Sequence, residues 1–117
     1  MAGAVLVVDD DASFRGLARR MLTAAGLSVA GEADTVAAAR DAAVALRPDA
    51  ALIDIGLPDG DGITLAAELG AMPWHPRILL TSIDPDAASL IGNRAAGPFV
   101  PKNELPNAPL RELLADE

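Results

Sequence analysis

The sequence contains no cysteine. It can form neither disulfides nor thiolate metal sites, and any bound metal must take oxygen ligands or the single histidine, His75. The candidate metals are therefore hard cations: magnesium, manganese or calcium. The chain also lacks an apolar run of the about 18 residues that a membrane span requires, and its N-terminus has neither the charged region nor the long apolar core of a signal peptide. A cytoplasmic, membrane-free protein is expected. Basic residues are scarce: nine Lys and Arg stand against 17 Asp and Glu, a formal net charge of -8 and a pI near 4.4. Direct nucleic-acid binding needs a basic face, so the expected partner is a protein. Lysine is scarcer still, since Lys102 is the only one and the other eight basic residues are arginines.

What is present is an apolar chain of 117 residues, 51% hydrophobic, with a mean hydropathy of +0.30. That is too apolar for disorder and long enough for one packed core, so residues 1–117 are expected to form a single domain. Strand and helix patterns alternate along it. Ala4-Val5-Leu6-Val7-Val8 reads as a buried strand, followed by a helix with Phe14, Leu17, Ala18, Met21, Leu22 and Ala25 on one face and Gly26 at its close. Residues 27–33 read as a second strand, and Asp34 or Thr35 caps a helix whose inner side carries Val36, Ala39, Ala43 and Leu46. A third short strand, residues 50–53, ends at Asp54 in a loop rich in Gly, Pro and Asp (56–62), with a helix from about Ile63 to Gly70. Residues 78–81 form strand four. Asp84 and Pro85 open helix four, Phe99-Val100 is strand five, and Leu110 to Ala115 is a last short helix.

Such alternation predicts an α/β fold, a five-stranded parallel sheet in the flavodoxin-like order 2-1-3-4-5 with helices on both faces. Its ligand crevice lies outside the carboxyl ends of the strands, at the switch between strands one and three. Asp9 and Asp10 follow strand one, Asp54 follows strand three, Thr81 ends strand four and Lys102 follows strand five, so all fall on that edge. Strand two ends in Gly31-Glu32 and offers no obvious ligand. The carboxylate block Asp9-Asp10-Asp11 calls for a countercharge, because two carboxylates about 4 Å apart repel by roughly 4 kcal/mol at an effective dielectric near 20. Asp11 is expected to cap the first helix.

Four strings carry a resemblance: Val7-Val8-Asp9-Asp10; Asp54-Ile55-Gly56-Leu57-Pro58-Asp59-Gly60-Asp61-Gly62; Leu80-Thr81-Ser82; and Gly97-Pro98-Phe99-Val100-Pro101-Lys102. In this order, each at a strand's carboxyl end, they resemble the receiver domain of a bacterial response regulator over nearly the whole chain. The resemblance implies a signalling switch of a two-component phosphorelay. A sensor histidine kinase or phosphotransfer protein would pass a phosphoryl group to Asp54, with Mg2+ bound by Asp10, Asp54 and the Gly56 backbone carbonyl, and by Asp9 through a water. Thr81 and Lys102 would contact phosphoryl oxygens. The domain would be no enzyme in the ordinary sense but a phosphoacceptor that catalyses its own phosphorylation and dephosphorylation. The chemistry agrees with the residue types: an in-line nucleophile, a cation for the equatorial oxygens, and donors for the rest.

The resemblance also gives Thr81 and Phe99 a switch role, reshaping helix four, strand five and helix five toward an output protein or output domain, a face through which a homodimer would also form. Phe99 reads equally as strand core. Arg15 and Arg19 read as a solvated helix face, with kinase docking as the alternative, and Trp74 and His75 as turn packing rather than metal ligation. Asn103 departs from the proline that commonly follows the receiver lysine, and Lys102-Asn103-Glu104-Leu105 resembles the receivers that precede helix-turn-helix output domains. The chain ends just after helix five, as a stand-alone receiver or a fragment would. Two rivals remain: a pseudo-receiver that binds partners without phosphorylation, and a small haloacid-dehalogenase-type phosphatase, since Asp9-Asp10-Asp11-Ala12-Ser13 loosely satisfies its Asp-x-Asp-x-Thr/Ser motif with Asp9 as nucleophile.

Overall fold

The computed structural model describes residues 3–84, 86–91 and 96–115. Strand β1 (Ala4–Val8) leads to α1 (Ala12–Ala24), β2 (Ser28–Ala33), α2 (Val36–Leu46) and β3 (Ala50–Asp54). Two-residue strands β4 (Gly56–Leu57) and β5 (Gly60–Asp61) precede α3 (Gly62–Gly70), and β6 (Arg77–Thr81), α4 (Ala87–Ile91), a 3-10 helix (Lys102–Asn107) and α5 (Leu110–Leu114) complete the order. Among the described residues no helix is long and apolar enough to cross a membrane. Pro85, expected to open α4, lies outside the described residues.

Strand alternation sorts the core into two layers. Leu6, Val8, Ala51, Ile53, Ile78 and Leu80 pack with Val36, Ala39 and Ala43 of α2 and Ile63, Leu65, Ala66 and Leu69 of α3. Val5, Val7, Ala50, Leu52 and Leu79 point the other way, onto Phe14, Ala18 and Leu22 of α1 and Leu110 and Leu114 of α5. Both sheet faces are thus covered, as a parallel sheet requires. Leu17 and Leu46, expected inside, are 41% and 46% exposed. The buried stripe of α1 runs through residues 14, 18 and 22, leaving Leu17 at its edge. Leu46 is the last residue of α2, where Arg47 takes a left-handed conformation before Pro48.

The sheet itself differs from expectation. It has four parallel strands in the order β2-β1-β3-β6, not five in the order 2-1-3-4-5. The loop after β3 contributes β4 and β5 as a separate antiparallel pair, which shifts the numbering, and the fifth strand is reduced to one parallel bridge between Leu80 and Phe99. Hydrogen bonds from Leu80 N to Pro98 O, Val100 N to Leu80 O and Lys102 N to Ser82 O keep the segment beside β6. A full ladder fails for two reasons: Pro98 has no N–H to give, and the Val100 carbonyl is taken by the Thr81 hydroxyl at 2.7 Å.

Local chemistry sets the helix starts. The Asp11 carboxylate accepts from the Ser13 and Phe14 N–H groups, Thr35 Oγ1 accepts from Ala38 N, and Asp61 Oδ1 accepts from Ile63 N, each satisfying donors a helix leaves unpaired. Gly26, at φ +86°, turns the chain out of α1 while Leu27 N bonds Leu22 O, a left-handed ending that glycine allows without strain.

Candidate acidic and phosphoryl site

Asp9 emerges from β1 completely buried, its N–H bonded to Ala33 O. Asp10 beside it is exposed. Asp54 ends β3, paired in register with Thr81 of β6 and 8% exposed. Carboxylate oxygens of Asp9, Asp10 and Asp54 all lie within 4.8 Å of one another, the one group of potential metal ligands among the described residues. His75 is not part of it. Its Nδ1 lies 3.3 Å from Gly70 O, and Trp74 donates from Nε1 to Pro48 O beneath the Arg47 guanidinium, so both serve turn packing.

Lys102 reaches the carboxylates from the other side of the crevice. Its Nζ is 2.7 Å from Asp9 Oδ2 and 3.2 Å from Asp54 Oδ2, and it stands 4.2 Å from the centroid of the Phe14 ring. Asp9 Oδ1 accepts from the Asp11 N–H, and the buried Oδ2 has the Lys102 ammonium at 2.7 Å as its countercharge. Burial raises the Asp9 carboxyl above its ordinary value, against the lowering by Lys102 and the Asp11 N–H, with the Asp54 charge adding to the rise. Burial alone would lower the Lys102 ammonium; Asp9 and Asp54 outweigh it and hold the amine above its ordinary range. Three formal negative charges thus face one positive charge in a partly dry crevice. An all-oxygen donor set of three carboxylates, outnumbering its one ammonium, fits a hard divalent cation.

Gly56 N donates to Asp54 Oδ1 at 2.9 Å, orienting the carboxylate on the loop that resemblance assigned to the metal. Thr81 is buried, and its hydroxyl donates to Val100 O. Phe99 is half-buried against the α2–α3 layer of the core. Ile83, two residues beyond Thr81, is 81% exposed.

Several braces escape a sequence reading. Arg15 and Arg19 form a partly solvated face, with 18% and 51% of their side chains exposed, and both pair with Glu32 in β2, at 2.9 and 2.7 Å; Arg15 Nη1 also donates to the Asp9 carbonyl. The two guanidiniums, Arg19 first and Arg15 second, hold the Glu32 carboxyl below its ordinary value. Their i, i+4 spacing on α1 was the available signal, but the acidic partner lies on another element. Asp59, in the turn between β4 and β5, accepts from Val36 N at 2.7 Å and Ala37 N at 3.2 Å. It bolts the loop after Asp54 to the start of α2, and those N–H bonds, that of Val36 first, lower its carboxyl. Gly62 admits no side chain, since a Cβ there would collide with the Asp54 carbonyl oxygen and lie 2.6 Å from Ile55 Cα. Asp11, the second acid a dehalogenase-type motif requires, is committed to capping α1.

Comparison with known proteins agrees with this arrangement. Residues 5–108 match the response regulator receiver domain. The chain is 41% identical over 91 residues to the DNA-binding transcriptional activator DevR/DosR of Mycobacterium tuberculosis, covering 77% of this chain and 42% of that protein. It is 34% identical over 84 residues to a protein-glutamate methylesterase/protein-glutamine glutaminase of Archaeoglobus fulgidus, covering 72% of this chain and 24% of the relative. The signal receiver domain of NarL from Mycobacterium tuberculosis superposes with a TM-score of 0.80 at 32% identity, over 93% of this chain and 90% of that one. The chain therefore spans less than half the length of these two curated relatives, whose named activities differ. It belongs to the response regulator receiver domains of two-component signalling.

Proposed function

We propose that this receiver domain accepts a phosphoryl group from the phosphohistidine of a sensor histidine kinase or phosphotransfer protein onto Asp54, in a Mg2+-dependent reaction within the cytoplasm. The observation that carries the reading is the convergence of Asp9, Asp10, Asp54 and Lys102 from the ends of β1 and β3 and the start of the 3-10 helix. Asp10, Asp54 and the Gly56 carbonyl would hold Mg2+ directly and Asp9 through a water; when bound, the cation offsets negative charge on the transferring phosphoryl oxygens.

The chain's own residues carry the rest. An Asp54 carboxylate oxygen attacks phosphorus, the bond from phosphorus to the donor imidazole nitrogen breaks, and that nitrogen keeps the electron pair. The product on Asp54 is an acyl phosphate. The Gly56 N–H bond orients the carboxylate. Lys102 places an ammonium at Asp54 Oδ2, where it contacts a phosphoryl oxygen as a point charge. Thr81 donates its hydroxyl to another, giving up Val100 O and loosening the segment that bears Phe99. Moving a two-state domain from 1:99 to 99:1 takes about 5.5 kcal/mol. A hydroxyl bond of about 1 and a charge-assisted bond of about 1.5–3 kcal/mol supply roughly half; changed metal coordination and inward repacking of Phe99 supply the remainder. The altered α4, Phe99–Val100 and α5 surface then addresses an output protein or output domain, or a second copy of the chain.

Acetyl phosphate or beryllofluoride with Mg2+, applied to the wild type and to Asp54→Ala, tests the reading. Mg2+-dependent modification of Asp54, with a spectral response that the variant lacks, is expected. Labelling of Asp9 would favour the phosphatase chemistry, and absence of any Mg2+-dependent adduct or response would leave an interaction module that works without phosphorylation.

A further inference from the structure

We infer that Phe14 is a positioning residue for Lys102, its ring retaining the ammonium in the crevice when a divalent cation takes over the carboxylates. The inference rests on the functional reading above and concerns a residue that reading does not use. Three groups surround Lys102 Nζ: Asp9 Oδ2 at 2.7 Å, Asp54 Oδ2 at 3.2 Å and the Phe14 ring centroid at 4.2 Å. A divalent cation neutralises the first two and repels the ammonium. The ring is the partner that a cation leaves unchanged, because its attraction comes from the quadrupole of the π face.

The setting favours that contact. Phe14 is 8% exposed and packs in the α1–α5 layer of the core. Its backbone N–H is bound by the Asp11 cap at the start of α1. The ring is therefore fixed by both core and cap, whereas the lysine is a flexible four-carbon chain. With 13% of the Lys102 side chain exposed, the ammonium has a route out to water, and an aliphatic residue at position 14 would fill the core without holding it.

Because Lys102 is the sole lysine, selective labelling of lysine yields a single side-chain signal. Its ε-methylene protons should resonate upfield of free lysine through the ring current of Phe14. They should remain so in saturating Mg2+, and return to the free-lysine position in Phe14→Leu. Beryllofluoride affinity in Mg2+ should fall about fivefold in Phe14→Leu, recover in Phe14→Tyr, and be indifferent to Phe14→Leu when Lys102→Met is already present. A free-lysine shift in Mg2+-loaded wild type, or an equal loss in the Lys102→Met background, would overturn the inference. If the wild type binds no beryllofluoride, the functional reading fails, and the lysine signal still reports whether the ring holds the ammonium.

Discussion

Replacing Lys102 by methionine removes the charge while keeping an apolar stem, and the geometry sets what should follow. The ammonium is the countercharge of the fully buried Asp9 and lies within ion-pair distance of Asp54. Removing one partner of a buried ion pair costs about 3–5 kcal/mol, because the other charge is left without compensation. Here 13% of the lysine side chain and 11% of the Asp54 side chain remain exposed, so water relieves part of the penalty. We expect Lys102→Met to lose about 2–3 kcal/mol at neutral pH without metal. Urea unfolding in EDTA, followed by far-UV circular dichroism and by the single tryptophan, Trp74, measures it.

Mg2+ should reverse much of that loss, since the cation and the ammonium compensate the same carboxylates. Closure of the thermodynamic cycle then requires Mg2+ to bind the variant more tightly, by about tenfold for every 1.4 kcal/mol recovered. The sign with pH follows from Asp9. Its carboxyl titrates above its ordinary value in the folded protein, so ionising it costs stability as the pH rises from the unfolded-state value through the folded one, and the missing ammonium deepens that cost. Below the ordinary aspartate value Asp9 is protonated folded and unfolded alike, and the two proteins should converge. A variant within about 0.5 kcal/mol of wild type in EDTA at neutral pH, with unchanged Mg2+ affinity, would refute the reasoning, since 0.5 kcal/mol is the ordinary scatter of surface substitutions.

Thr81→Val keeps the shape and removes the hydroxyl bonded to Val100 O; it should cost about 1–2 kcal/mol in urea unfolding and leave Asp54 open to acetyl phosphate, while the NMR shifts that beryllofluoride induces around Phe99 shrink. Gly62→Ala drives a Cβ into the Asp54 carbonyl oxygen and Ile55, both backbone that cannot rotate aside, so a loss of about 3 kcal/mol and weaker Mg2+ binding are expected from the same melts and a metal titration. Glu32→Gln removes a carboxyl held below its ordinary value of 4.5 by Arg19 and Arg15. That stabilisation is present above 4.5 and is lost as the pH falls through the depressed folded value, so the difference in Tm between variant and wild type should be full at neutral pH and disappear in acid.

Residues whose position follows from chain order and strand direction were legible in the sequence. Asp9, Asp10, Asp54 and Lys102 each stand just past an apolar run, and a parallel sheet collects the carboxyl ends of its strands on one edge, so their convergence needed no knowledge of contacts. Partners met only through tertiary packing were not legible. Glu32 lies 17 residues from Arg15, and Asp59 lies 23 from Val36; neither spacing has a periodicity to betray it. The 56–62 loop carries turn residues whether or not it pairs with itself, which hid β4 and β5. The shortened fifth strand was legible in part, because Pro98 cannot donate to a ladder. That the Thr81 hydroxyl takes the Val100 carbonyl depends on a side-chain torsion that sequence does not carry.

The same shortening gives the switch reading a physical basis. Lys102, which touches Asp9 and Asp54, and Val100, whose carbonyl holds Thr81, flank Pro101 on the segment that also bears Phe99. Among the described residues, three backbone hydrogen bonds tie that segment to β6 and Ser82, whereas β3 is paired on both sides, five residues deep against β6 and four against β1. Local opening follows the elements with fewest such ties. A group arriving at Asp54 would compete for Thr81 and Lys102 together, and both lead to a strip that is less extensively paired than β3. The acidic crevice and the segment bearing Phe99 are joined by the Lys102 ion pairs and by the bond from the Thr81 hydroxyl to Val100 O.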